Sequence, residues 1–178
     1  MSGILVNNAG ITGELVGPED TLPTHLIPVF RVNVLGPVRV THAFLPLLRA
    51  APDPRVVMVS SGNGSLAIVT DPARLESTIA HLMYPTSKAA LNMLTTQYAK
   101  GIPDVRFNLT DPGYTATDLN NNQGTQTVTE GTDVIVGTRH RLARTDRAVP
   151  RPRRRRPLVT GPFPSSAKFR HRHGSRGG

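Results

Sequence analysis

Ile4-Leu5-Val6-Asn7-Asn8-Ala9-Gly10 is a short apolar run closed by turn-forming residues. It reads as a buried parallel strand that runs straight into a tight turn. The pattern recurs twice. Val56-Val57-Met58-Val59 ends at Ser60-Ser61-Gly62, and Val105-Arg106-Phe107-Asn108-Leu109 ends at Asp111-Pro112-Gly113. The segments between these runs have helical periodicity. One helix is predicted from about 26 to 49, interrupted at Gly36-Pro37 and Pro46. A second is predicted over 84–100, with Pro85 in its first turn and Gly101-Ile102-Pro103 as its stop. Residues 62–83 read as a long loop, and Thr129 as the cap of a short helix through Val136. Strands alternating with helices predict an α/β fold, a parallel sheet covered by helices. The polar clusters at the strand ends then gather along one edge, where open parallel sheets bind ligands.

The composition excludes several chemistries. The chain has no Cys, so disulfides, thiolate nucleophiles and Cys-ligated metals are ruled out. Its six His residues show no metal-ligand spacing. No apolar run approaches the length of a membrane span, and Met1-Ser2-Gly3 does not open like a signal peptide. A soluble cytoplasmic protein is the expectation. The net charge of +9 is unevenly spread. Residues 1–138 carry 8 Lys/Arg against 11 Asp/Glu, whereas residues 139–178 carry 13 Lys/Arg and one acid, Asp146. Two regions are therefore expected: a folded body, 1–136, and a basic Arg/Pro-rich tail, 137–178, without helix or strand period and read as disordered.

Tyr84 and Lys88 stand four residues apart, so on a helix a phenol and an ammonium share one face. Such a pairing lowers a phenol's pKa and suits it to proton transfer. Together, Asn7-Asn8-Ala9-Gly10, Asn33 within Val-Asn-Val, Ser60-Ser61, Tyr84-x-x-x-Lys88 and Pro112-Gly113-x-Thr115 occur in the order of the short-chain dehydrogenase/reductase family. Each motif alone is weak; five in register make the resemblance specific. It covers roughly residues 3–136.

The resemblance implies a Rossmann-like doubly wound parallel sheet and carbonyl/alcohol interconversion by hydride transfer with NAD or NADP. It implies four catalytic residues. Tyr84 would be the acid/base, and Lys88 would hold the nicotinamide ribose and keep a charge beside the phenol. Ser61, with Ser60 as its competitor, would hold the substrate carbonyl. Asn33 would bend its helix and hold a water relaying protons from Lys88. Asn8, Ala9 and Gly10 would approach the cofactor's adenosine side and brace the sheet; Pro112, Gly113 and Thr115 would wrap the nicotinamide carboxamide and pyrophosphate, with Tyr84 and Lys88 completing the cofactor site. The separation of 23 residues between Ser61 and Tyr84 exceeds the family's usual spacing. The extra loop, 70–81, is expected to shape the substrate pocket. A small-molecule carbonyl or alcohol is the implied substrate, and the two long helices resemble those that pair in family oligomers.

The chain also departs from the pattern. It opens at the family's fourth strand, and no G-x-G-x-x-G turn for the pyrophosphate occurs. It therefore reads as a partial domain, with strand Ile4–Val6 expected to lack a neighbour on one side and the activity of the chain by itself an open question. Arg, Pro and Gly have GC-rich codons, so the tail's composition is what a frameshift in GC-rich DNA would produce. Two other classes of function stay in view: sequence-independent nucleic-acid binding through the tail, the less favoured reading, and a non-catalytic scaffold that keeps the helix pairing.

Overall fold

The structure is a computed structural model that describes residues 3–140. The basic tail beyond His140, and with it the expectations of disorder, frameshift and nucleic-acid binding, lies outside the described residues.

Three strands form a parallel sheet in the order β1-β2-β3: β1 is Ile4–Asn7, β2 Arg55–Val59 and β3 Arg106–Thr110. The register aligns Val6 with Val57 and Val57 with Asn108. All five residues of β2 are buried, as expected for a central strand with both faces covered. Val56 and Met58 enter a core with Leu48, Leu91 and Val105. Val57 and Val59 alternate to the opposite face and are buried as well. Within the described residues β1 forms an edge, as the sequence led us to expect.

The described residues include five α-helices: α1 Pro23–Asn33, α2 Leu35–Arg49, α3 Leu66–Val69, α4 Met83–Gly101 and α5 Val128–His140. Leu48 of α2 and Leu91 of α4 pack on the Val56/Met58 face, and α5 lies against β2 and β3. No helix among the described residues is long and apolar enough to cross a membrane.

Three elements differ from the sequence expectation. The long helix divides at Val34 (φ −115°, ψ −61°), and not at Gly36-Pro37 or Pro46. Pro37 falls in the first turn of α2, where no N–H is required. The helix α5 is capped two residues before Thr129. The Thr127 Oγ1 accepts from the Glu130 amide at 3.3 Å and the Glu130 carboxylate accepts from the Thr127 amide at 2.7 Å, a reciprocal cap. With that start the helix runs on through Gly137 to His140. Residues 62–83 contain α3 and two 3-10 turns, Gly62–Gly64 and Leu75–Thr78.

At the opposite end of the strands, Arg55 and Arg106 occupy one register pair across β2 and β3. Asp53 lies between them, 2.6 Å from the Arg55 guanidinium and ion-paired with Arg106.

Candidate active site

The face of α4 that meets the C-terminal ends of the strands carries Tyr84 and Lys88. Lys88 is only 3% exposed. Its Nζ donates to the Val59 carbonyl at the end of β2, 2.8 Å away, and lies 5.5 Å from the centre of the Tyr84 ring. Ser61 follows β2 and lines the same cleft as Tyr84, where its hydroxyl favours ionisation of the phenol. The phenol, the ammonium and one hydroxyl thus meet in one place. Ser60 is buried, and its hydroxyl is committed to Asn92 Oδ1 at 2.5 Å. Between the two serines, Ser61 is therefore the one at the phenol.

The electrostatics correct one expectation. The Tyr84 phenol is held above its ordinary value: burial is the main cause and the Asp111 carboxylate adds to it, while the hydrogen bond from Ser61 opposes them. Desolvation disfavours phenolate more than any neighbour restores it, so the pairing with Lys88 does not lower the phenol. Burial also lowers Lys88 to about 8, against the attraction of Asp111. Asp111 was not singled out in the sequence, where it reads as the end of a strand. It faces both groups, and its Oδ1 accepts from the Gly113 amide at 3.0 Å.

Asn33 is fully buried at the end of α1. Its Oδ1 accepts from the Ile11 amide at 2.9 Å, and its Nδ2 donates to the Ile11 carbonyl at 2.8 Å and to Ser87 Oγ at 2.9 Å. The side chain ties the segment after β1 to α4, and the helix breaks at the next residue. Asn8, Ala9 and Gly10 line the cleft. Asn7, not Asn8, braces the sheet: it is buried and donates to Thr41 Oγ1 and to Met58 Sδ, each at 3.2 Å. Pro112, Gly113 and Thr115 form the opposite wall. Gly113 has φ +76°, and a Cβ there would stand 2.2 Å from Gln126 Oε1, so the turn requires glycine.

Apart from Asn7 and Asn33, which do not line it, these groups border one cleft of about 980 Å³. Ile79 and His81 also line it, as expected of the extra loop. The Glu76 carboxylate, which reads from the sequence as a solvated loop charge, is paired with Arg74 at 3.2 Å, and a Cβ on Gly62 would stand 2.6 Å from its Oε1.

A sequence profile of the family described as short chain dehydrogenase matches residues 3–128. The chain belongs to the short-chain dehydrogenase/reductase family. It is 37% identical over 139 residues to the short-chain dehydrogenase anuI of Penicillium roqueforti, an alignment covering 75% of this chain and 55% of that protein. It is 31% identical to (+)-neomenthol dehydrogenase of Arabidopsis thaliana, covering 72% of this chain and 60% of the relative. This short-chain dehydrogenase/reductase chain thus spans little more than half the length of these two relatives. Among solved structures, NADPH-bound carbonyl reductase from chicken fatty liver aligns with a TM-score of 0.62 at 27% identity, over 76% of this chain and 55% of that one.

The site's own donors fit a nicotinamide nucleoside. A buried ammonium offers three N–H donors, and Lys88 uses one of them, on Val59. The others suit the vicinal hydroxyls of a ribose, beside a wall whose backbone comes close at Gly113 and Gly10.

Proposed function

We propose that this domain binds NAD or NADP and interconverts a small carbonyl compound and its alcohol. The observation that carries the reading is the meeting of the Tyr84 phenol, the buried Lys88 ammonium and the Ser61 hydroxyl in one cleft. The chicken carbonyl reductase, bound to NADPH, supports the cofactor by likeness. A bound nicotinamide supplies or accepts the hydride. Ser61 donates to the substrate oxygen and stabilises the charge that develops there. Tyr84, whose phenol is protonated at neutral pH, gives its proton to that oxygen in the reductive direction. Lys88 holds the ribose hydroxyls and supplies positive charge near the phenol. Asn8, Ala9 and Gly10 line the cofactor's path on one wall; Pro112, Gly113 and Thr115 do so on the other. Asn33 keeps the Ile11 segment and α4 in register, and the relay water falls to it by the family resemblance. Leu15, Ile79, Leu119 and Val136 make much of the lining apolar, which favours an apolar carbonyl substrate.

The same reading includes self-association in the cytoplasm through the long helices. Leu35, Phe44 and Leu47 on α2 and Met93 on α4 are each 47–68% exposed, and apolar residues at this exposure favour a covering partner.

The test is turnover of a panel of carbonyl compounds by the purified protein with NADPH and with NADH. Activity is expected with one of the two, and Tyr84→Phe should abolish it while leaving dinucleotide binding intact. Full activity in Tyr84→Phe would refute the assignment.

A further inference from the structure

Asn92 stands one turn beyond Lys88 on α4, and no role above falls to it. Its side chain reaches both ends of the segment that carries Ser61. Oδ1 accepts from Ser60 Oγ at 2.5 Å, and Nδ2 donates to the Gly64 carbonyl at 3.0 Å. Between those two points lie Ser61, Gly62 and Asn63, wound into a 3-10 turn. The turn is closed by the Gly64 amide on the Ser61 carbonyl at 2.9 Å and by the Asn63 amide on Ser61 Oγ at 3.3 Å. Gly64 rests on the backbone of α4: a Cβ there would stand 2.7 Å from the Lys88 carbonyl carbon and 2.9 Å from the Ala89 nitrogen. The loop can therefore come close to the helix, and one carboxamide fastens it there at both ends. The task needs an acceptor and a donor on two separate atoms of one short side chain, which the asparagine carboxamide supplies and an ionised aspartate or a leucine does not. Asn92 does not line the cleft.

We propose that Asn92 is a positioning residue that clamps the Ser60–Gly64 loop to α4 and so sets the Ser61 hydroxyl against the Tyr84 phenol. Its consequence for turnover rests on the oxidoreductase reading; its effect on Tyr84 does not. Among the described residues, Lys88 of α4 and Asp111 from the end of β3 face the phenol, with His81 and Asp118 on the wall of the same cleft. Replacing Asn92 changes none of these charges.

The experiment is a pH titration of ring-labelled tyrosine followed by carbon NMR, with the Tyr84 resonance assigned by its loss in Tyr84→Phe. In Asn92→Ala the Ser61 hydroxyl loses its fixed place, and its favouring of the ionised phenol weakens. The Tyr84 titration is then expected to move to higher pH than in the wild type. Ser60→Ala removes one of the two fastenings and is expected to move it the same way by less; this variant decides the matter if Asn92→Ala does not fold. In the turnover assay kcat is expected to fall about tenfold in Asn92→Ala, with dinucleotide affinity unchanged. Tyr84 titrations that coincide with wild type in the folded variants would overturn the proposal. If the wild type reduces no carbonyl, the oxidoreductase reading fails separately, and the titration still decides the role of Asn92.

Discussion

Replacing Lys88 with Met is expected to make the fold more stable. Burial lowers the ammonium from 10.5 to about 8, and each unit corresponds to about 1.4 kcal/mol. Holding the charged form inside the fold therefore costs on the order of 3 kcal/mol at neutral pH. Methionine occupies a similar linear volume without charge. It leaves the Val59 carbonyl without its 2.8 Å donor, a loss of about 1 kcal/mol. The net expectation is a gain of about 2 kcal/mol near pH 7. The pH dependence gives a second handle. Between about 8 and 10.5 the folded chain holds fewer protons at this position than the unfolded chain. Wild-type stability therefore gains a rising contribution across that window, which the variant lacks. Urea unfolding of both proteins at several pH values from 7 upwards measures each effect. A variant less stable than wild type near pH 7, or stability curves that stay parallel through the window, would refute the reasoning. A stabilised Lys88→Met that no longer turns over would mark the position as one where stability has been given up for chemistry.

Three further outcomes are expected. In the reductive direction kcat/KM should decline with a midpoint near pH 8, following loss of the Lys88 charge, because the phenol itself is held above its ordinary range; a limb below neutrality would contradict this. Thr127→Ala removes the reciprocal cap of α5 and should cost about 1 kcal/mol in urea unfolding, whereas Thr129→Ala should cost little. Asp53→Ala leaves the Arg55 and Arg106 guanidiniums in one register pair without the carboxylate that bridges them. It should destabilise by about 2 kcal/mol, and Arg106→Met in the same background should recover part of that loss in the same assay.

The strands were legible because each is a β-branched or apolar run closed by residues that favour turns, and the shared face of Tyr84 and Lys88 was legible because four residues make about one helical turn. What escaped depended on contacts between distant segments. The break at Val34 follows Asn33, whose side chain bonds a backbone 22 positions away. Local breaker signals drew attention to Gly36-Pro37, whose proline is harmless in a first turn. The upward displacement of the Tyr84 phenol depends on how deeply α4 is buried, which a four-residue spacing does not encode. Thr127-x-x-Glu130 and the Asn92 position were both readable, one as a capping signature and the other as a further four-residue step along the Tyr84–Lys88 face. Asp111 gave no signal of its own beyond ending a strand at the edge where ligands gather.

The span from Leu66 to His81 meets the cleft through Ile79 and His81 alone, whereas the Tyr84 phenol, the Lys88 ammonium and the Ser61 hydroxyl ride on α4 and the tip of β2. On the proposed reading, this part of the cleft wall and the groups assigned to the reaction belong to separable stretches of chain. That reading expects a foreign span grafted between Gly64 and Leu82 to change which compound is admitted while the Tyr84, Lys88 and Ser61 groups stay in place.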